Sequence, residues 1–437
     1  MISPQRRQEI IDALRRGTVP QRSLDAFAVG LDRFEKALDE ELDSVSSGSG
    51  VFKAVRGEYG SGKTFFARWF QERAKQKGFA TAEVQISETE TPLHKLETVY
   101  RRLIERLSTS DTHQGAIRGI LDAWFYALEE DVLAEGGIDE SNEAALLERT
   151  QELMEQRLAA VNRHAPAFAT ALRAYRKASA EGEHAVADGI LAWLSGEPNV
   201  GMPAKRYAGI KGDVDHFGAL SFLQGLLVIL KDSGFSGLVL VLDEVETLQR
   251  VRSDVREKSL NALRQLLDEV DSGRFPGLYI LITGTPAFFE GPQGIRRLPP
   301  LLQRLDVDFQ TDARFDNPRA AQIRLSAFDQ SRLEEVGRKI RDLYAADADA
   351  SDRVLRLADD IYIEDLVGAV AGRLGGKVGV APRIFLRKLV GEVLDRIDQF
   401  DDFDPRSDYS LAINDSELTD AELHASSTDP DEVEIEL

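Results

Sequence analysis

Two nearly unbroken apolar runs constrain the fold of this 437-residue chain more than any other feature. They read GLVLVLDE at 237–244 and GLYILITGTP at 277–286. Apolar runs without polar alternation are typical of parallel strands that are covered on both faces. The stretch SLNALRQLLDEVDSG between them predicts an amphipathic crossover helix. This order of strand, helix and strand predicts an α/β layer built on a parallel sheet.

A third predicted strand, VFKAVR (51–56), leads directly into GEYGSGKT (57–64), and the residues after it predict a helix. GEYGSGKT matches the pattern G-x-x-x-x-G-K-[ST] of a phosphate-binding loop. In such a loop the backbone N–H groups turn toward one centre, the lysine reaches the outer phosphates and the hydroxyl can bind Mg²⁺. A solvated glycine turn is the alternative, and the placement between strand and helix disfavours it. The predicted nucleotide-binding residues are Gly57, Glu58, Tyr59, Gly60, Ser61, Gly62, Lys63, Thr64 and Phe65.

Two carboxylates, Asp243 and Glu244, follow the first apolar run directly. Ligands of open α/β sheets bind at the carboxyl ends of the strands, and this is where the two charges fall. We expect Asp243 to hold Mg²⁺ together with Thr64, and Glu244 to polarise the attacking water. The alternative is that both carboxylates merely end a buried strand on the solvent side.

Three further side chains are candidates for catalysis. The second apolar run ends in Thr283 and Thr285, and we favour Thr285 as the hydroxyl that reaches the γ-phosphate or the attacking water. Its alternative role is to cap the turn that follows. Arg304 in PPLLQRLDVDF and Arg383 in VAPRIFLRKL are the other two candidates. An arginine at the γ-phosphate can accelerate hydrolysis by about 10³ to 10⁵, whereas most arginines only form surface ion pairs.

The rest of the chain is predicted to be mainly helical. Residues 92–231 predict a large helical insertion, and residues 311–400 predict a small all-helical domain. No strong apolar strand is expected after Phe309. We expect a nucleotide-binding domain at 1–310 and a disordered acidic tail at 401–437.

Composition argues against several functions. The chain has no cysteine, which excludes disulfides and thiolate metal sites. No stretch reaches about 18 consecutive apolar residues and the N-terminus has no signal-peptide pattern, so we expect a cytoplasmic protein without a membrane partner. The net charge of −21 opposes broad attraction to DNA. A local basic groove is still open, at Lys205 and Arg206 or at Arg296 and Arg297, although such pairs are more often solvated surface.

The order of these segments resembles that of AAA+ P-loop ATPases. VGLDRFEKAL precedes the glycine loop, and LVLVLDEVE, LITGTP, LLQRLDVDF and APRIFLRKL follow it. The resemblance implies that the loop is a Walker A motif and that the carboxylate pair is a Walker B motif. It also implies that Thr285 is sensor 1, that Arg304 is a finger acting on a neighbour's ATP, and that Arg383 is sensor 2 in a helical lid. VGLDRFEKAL would help to enclose adenine.

A narrower resemblance covers nearly the whole chain to about Phe400. It is to the BrxD-type ATP-binding proteins of BREX phage-defence loci, and it is carried by RGTVPQRSLDAFAVGLDRFEKALDEEL, RGEYGSGKTFFARWF, AWLSGEP and VAPRIFLRKLV. Those proteins are grouped with the origin-recognition and helicase-loader branch and are encoded beside an Lhr-like helicase, which implies a role on DNA with that helicase. Relatives in that branch commonly have a winged-helix domain after the lid. Here an acidic tail follows instead, so any DNA contact is expected elsewhere.

Three functional hypotheses follow. The leading one is an ATP-hydrolysing motor or loader that self-associates, because Arg304 of one subunit would complete the ATP site of the next. The alternative is a nucleotide-gated scaffold or signalling switch, in which ATP binding recruits a protein partner without repeated hydrolysis. A DNA-stimulated ATPase is the third, and it predicts salt-sensitive stimulation by DNA.

Overall fold

The computed structural model describes residues 2–137, 142–159, 162, 165–373 and 381–414. Most of the predicted acidic tail, from residue 415 onward, lies outside the described residues. Disorder of that segment therefore stays a prediction.

Five strands form one sheet in the order β2-β3-β4-β1-β5. Their bounds are β1 Val51–Arg56, β2 Ala80–Gln85, β3 Leu238–Asp243, β4 Leu278–Gly284 and β5 Gln322–Arg324. β3 pairs in parallel with both β2 and β4. The predicted α/β fold with a parallel sheet is confirmed. β5 was not expected, because three residues are too few to form a recognisable apolar pattern.

Helices make up most of the remaining described chain. They are α1 Pro4–Arg15, α2 Asp32–Ser46, α3 Lys63–Gln76, α4 Leu96–Arg106, α5 Ile117–Glu135, α6 Glu143–Arg157, α7 Pro166–Ala180, α8 His184–Leu194, α9 Met202–Ala208, α10 His216–Asp232, α11 Ser253–Asp271, α12 Pro286–Glu290, α13 Pro299–Leu305, α14 Gln330–Ala345, α15 Ser351–Leu357, α16 Asp360–Arg373, α17 Ala381–Lys388, α18 Asp395–Gln399 and α19 Pro405–Asp408. A π-helical turn, Leu389–Leu394, joins α17 to α18. Within the described ranges, no helix combines the length and the apolar character that crossing a membrane requires.

The contacts divide the chain into two compact units. The first unit contains Met1–Ala37, Val55–Glu72 and Asp308–Leu437, and the second contains Leu38–Ala54 and Arg73–Val307. Each unit is built from segments that are separated in sequence. The units do not follow the linear boundaries expected at residues 310 and 400, which stay a prediction.

The second unit has its core around β2, β3 and β4. Every residue of β3 and β4 is buried, which is why both strands appear in the sequence as unbroken apolar runs. A buried lysine of β1, Lys53, forms an ion pair with Glu41 at 2.5 Å, and the Tyr279 hydroxyl donates to the same carboxylate at 2.6 Å. Burial lowers the pKa of the Lys53 ammonium, and the Glu41 carboxylate opposes this shift. The Glu41 charge therefore compensates a buried cation.

The first unit joins the N-terminal helix α1 to helices far along the chain. α1 begins where the sequence predicts, because the Ser3 side chain accepts a hydrogen bond from Arg6 N and proline follows at the first helical position. Arg15 at its end donates to Asp395 at 2.7 Å, and Tyr344 of α14 donates to the same carboxylate at 2.9 Å. A shared carboxylate thus connects α1, α14 and α18.

Residues that follow α18 also contact the helices of the first unit. Arg406 donates to Asp359 at 2.7 Å, and the Tyr409 hydroxyl donates to Glu392 of the π-helical turn at 2.8 Å. The Arg406 guanidinium also lies over the Tyr362 ring. These contacts fall within the segment that the sequence predicted as tail, so its first residues pack on the helices.

Candidate functional site

The glycine loop connects β1 to α3 in the first unit. Gly60 and Gly62 adopt positive φ angles of 76° and 88°, a conformation that side chains with a Cβ rarely adopt. α3 starts at Lys63, so the loop ends at a helix N-terminus. The first N–H groups of a helix have no partner within the helix, and this helix end therefore favours an anion.

Ser61 gives the loop a buried polar atom without a partner. Its Oγ is buried and has no hydrogen-bond partner among the described residues. The same atom would lie only 2.3 Å from a Cβ at Gly57, so only glycine fits there without a shift. Buried hydroxyls without a partner are uncommon in folded proteins. A cradle with an unpaired donor is the arrangement that a phosphate oxygen would complete.

Lys63 is held against its own loop. Its Nζ donates to the carbonyl oxygens of Gly57 at 2.9 Å and Glu58 at 3.2 Å, and it lies 5.2 Å from the centre of the Tyr59 ring. The side chain is buried, whereas Thr64 beside it is half-buried. The ammonium therefore lies at the loop, where it could contact an outer phosphate.

Aromatic residues surround the start of α3 in the same unit. Phe65 packs edge-on against Phe27, with 5.2 Å between ring centres. Phe328 would lie 3.5 Å from a Cβ at Gly62. The Lys339 ammonium of α14 donates to the Ala28 carbonyl at 2.8 Å. Phe27 and Ala28 directly precede the segment VGLDRFEKAL, and they contact α3 and α14 respectively. The role of that segment around adenine stays a prediction.

The predicted carboxylate pair lies in the second unit, at the end of β3. Asp243 is buried, and Thr283 donates a hydrogen bond to its Oδ1. The Glu244 backbone N–H in turn donates to the Thr283 hydroxyl at 3.1 Å. One hydroxyl on β4 thus fixes both residues. A buried carboxylate at the carboxyl end of a parallel strand is placed to bind a cation or a ligand.

Glu244 is turned by an unusual backbone conformation. Its φ and ψ of 60° and 44° lie in the left-handed region, which is costly for a residue other than glycine. Gln85, the last residue of β2, donates from Nε2 to Glu244 Oε2 at 2.8 Å. Gln85 was not predicted from the sequence. Its signal was its position, since Gln85 ends a strand and lies opposite Asp243 in the parallel register.

A family model described as BREX system ATP-binding protein BrxC/D matches residues 2–412. The chain belongs to this family. No curated protein sequence matches the chain. As the name of the BrxC/D family states ATP binding, ATP is the ligand to test against the site. The glycine loop fits it, since it offers an unpaired buried hydroxyl, a lysine and a helix N-terminus to a phosphate group.

The remaining predicted catalytic residues of this BrxC/D protein lie in different surroundings. Thr285 is buried at the position before α12, and its side chain makes no capping hydrogen bond to the described residues of that helix. Arg304 of α13 is partly exposed and paired with Asp268 of α11 at 2.7 Å. Arg383 of α17 belongs to the first unit, where its Nη1 would lie 3.7 Å from a Cβ at Gly17. Their catalytic roles stay predictions.

The two candidate basic pairs of this BrxC/D protein differ in how far their charges are paired. Lys205 forms an ion pair with Asp213 at 2.7 Å and its side chain is only 11% exposed. Arg297 donates to the Ser253 hydroxyl at 3.1 Å. The Lys205 charge is therefore paired within the second unit, and a DNA contact at either pair stays a prediction.

Proposed function

We propose that this BrxC/D protein is an AAA+ ATPase of the BrxD type that hydrolyses ATP to ADP and phosphate in the cytoplasm. The observation that carries the proposal is the glycine loop, with the buried Ser61 hydroxyl, which has no hydrogen-bond partner in the described part of the chain, and Lys63 at the start of α3. The order of the motifs along the chain supports it further.

The proposal assigns a distinct task to each group of residues. The loop amides and Lys63 bind the phosphates, and Thr64 and Asp243 would hold Mg²⁺, which would supply positive charge to the phosphate oxygens. Glu244 orients and polarises the attacking water, and Thr283 keeps Asp243 and Glu244 in place. Hydrolysis requires both phosphate binding and water activation. The proposal therefore includes that these side chains act on the same ATP molecule: Lys63, Thr64, Asp243, Glu244 and Thr283.

The proposed enzyme works as an assembly. Arg304 acts on the ATP of a neighbouring subunit, and Thr285 and Arg383 contact the nucleotide within one subunit. Association in which one surface binds a different surface of the next copy is head-to-tail and gives a ring or an open spiral. Support comes from the exposed position of Arg304 and from the resemblance to AAA+ proteins.

We further propose that the assembly acts on DNA in phage defence, together with a helicase of the Lhr-like type. The support is the family, whose name places it in the BREX system, and the resemblance to the BrxD type. The expected result is salt-sensitive stimulation of ATP hydrolysis by DNA. A rate that stays unchanged at low salt, with and without the helicase, would contradict this part alone.

The central test is ATP binding by Lys63→Ala. Removal of a charge-assisted contact is expected to weaken ATP binding at least about tenfold, measured by equilibrium titration with labelled ATP. Lys177→Ala is the matched control, because Lys177 is an exposed lysine of α7 in the second unit. Equal ATP affinity of Lys63→Ala and the unaltered chain would refute the proposal.

Glu244→Gln separates hydrolysis from the switch alternative. The variant keeps the size of the side chain and its hydrogen bond to Gln85, and is expected to bind ATP while hydrolysing little. If phage defence in cells persists with this variant, repeated hydrolysis is dispensable and ATP acts as a switch.

A further inference from the structure

Two carboxylates of the same chain bind Arg304. Its Nη2 lies 2.7 Å from Asp268 Oδ1, and its Nε lies 3.9 Å from Asp271 Oδ2. Both acids belong to α11, and their separation by three positions places them on one side of the helix. The Arg304 side chain is 40% exposed. The guanidinium therefore lies at the surface of the second unit within ion-pair distance of two acids.

This arrangement disfavours contact of the same N–H groups with a phosphate. Carboxylate and phosphate oxygens compete for the same guanidinium N–H groups. Two carboxylates beside Arg304 would also repel an approaching triphosphate. Release is inexpensive, however, because an exposed ion pair shifts an equilibrium only about two- to fivefold.

We propose that Asp268 and Asp271 hold Arg304 in a stowed position on the isolated subunit, and that binding of a second copy of this chain releases it toward that copy's ATP. The inference rests on the proposed function, because it assumes that Arg304 acts across subunits. Asp268 and Asp271 are positioning residues that act through Arg304. They oppose the release of Arg304, so a higher protein concentration is needed to reach the half-maximal rate of ATP hydrolysis.

The test is the double variant Asp268→Asn/Asp271→Asn, which keeps both side-chain sizes and removes both charges. ATP hydrolysis per subunit is measured across a hundredfold range of protein concentration. The concentration that gives half-maximal rate is expected to fall about threefold. ATP affinity of the dilute subunit is expected to stay unchanged, since neither acid takes part in phosphate binding.

Asp254→Asn/Glu257→Gln is the matched control, because it removes two charges from exposed positions of the same helix. It is expected to leave the half-maximal concentration unchanged. Asp271→Asn alone, at the longer distance of 3.9 Å, keeps the test available if the double variant fails to fold. It is expected to shift the half-maximal concentration in the same direction by a smaller factor.

The outcomes separate the inference from the proposed function. If Arg304→Ala abolishes the concentration-dependent rate and the double variant behaves like the unaltered chain, the stowed position is wrong and the shared site stands. A lower maximal rate of the double variant also overturns the inference, since the acids would then position Arg304 for catalysis. If Arg304→Ala keeps the full rate, the shared site is wrong, and the inference with it.

Discussion

A single hydroxyl, that of Thr283, contacts both carboxylate residues of the candidate site. It donates to Asp243 and accepts from the Glu244 backbone, so it links both carboxylates at the end of β3. The sequence favoured Thr285, two positions further on, as the hydroxyl that reaches the γ-phosphate or the attacking water, and that role stays a prediction. Alternate residues of a strand share a face, so their spacing alone could not decide which hydroxyl reaches Asp243. The contact depends on the offset between β3 and β4, which an apolar pattern does not encode.

Thr283→Val is expected to lower the free energy of unfolding by about 1–3 kcal/mol, because it removes a hydrogen bond from a buried carboxylate. Hydrolysis is expected to fall while ATP binding persists. Denaturant unfolding and a steady-state ATPase assay measure the two effects. Thr285→Val is the control for stability and is expected to unfold like the unaltered chain. An equal loss of stability in both variants would contradict the special role of Thr283.

Glu41→Gln is expected to destabilise the protein by about 3–5 kcal/mol, because it removes the charge of a carboxylate that pairs with the buried Lys53 ammonium. Denaturant unfolding measures the loss. Asp43→Asn removes an acid of the same helix whose ion pair with Lys77 is exposed, and is expected to cost no more than about 1 kcal/mol. Similar losses of unfolding free energy in the two variants would show that burial of the ion pair does not determine how much its removal destabilises the protein.

At the scale of elements, the sequence predicted the strands and loops that have long, uninterrupted patterns. β3 and β4 are buried along their whole length, so their apolar character alone identified them. The glycine loop was recognised from its motif, because Gly62 adopts a positive φ angle and a Cβ at Gly57 would lie 2.3 Å from Ser61 Oγ. β5 was missed because it forms through a partner, as Leu325 N donates to the Arg56 carbonyl next to it. Such short strands depend on the neighbour more than on their own residues.

The segment after α18 gives an element-scale prediction. A chain that ends at residue 400 loses the contacts of Arg406 and Tyr409, and is expected to unfold with a free energy lower by about 1–3 kcal/mol. A chain that ends at residue 414 keeps both contacts and serves as the matched control. Thermal and denaturant unfolding of the two truncated proteins measure the difference. Equal stability would mean that residues 401–414 contribute nothing to the helices they contact.

At the scale of the whole molecule, the two compact units were beyond prediction from the sequence. Arg15 and Asp395 are 380 positions apart, yet they form a hydrogen-bonded ion pair at 2.7 Å in one unit. Local patterns report which face of a helix is buried, but not which distant helix covers it. The sequence therefore predicted a nucleotide-binding domain and a lid in linear order, whereas the contacts place the glycine loop and the C-terminal helices in the same unit.

The proposed assembly predicts that hydrolysis depends on protein concentration. A hundredfold dilution is expected to lower the rate per subunit, because Arg304 then has no neighbour on which to act. Steady-state ATPase assays, with molecular mass measured at the same concentrations, provide the check. A rate per subunit that is constant on dilution, at a mass equal to one chain, would contradict the shared site.

The discontinuous make-up of the first unit also bears on biosynthesis. A ribosome releases Met1–Ala37 and Val55–Glu72 long before Asp308–Leu437, and the intervening segments belong to the other unit. The first unit can therefore be completed only after the last third of the message has been translated. Until then, the aromatic side chains near the glycine loop lack the C-terminal segment of their unit. Chains cut short by a premature stop codon would expose that surface to chaperones and proteases, and would never acquire the partners of α1.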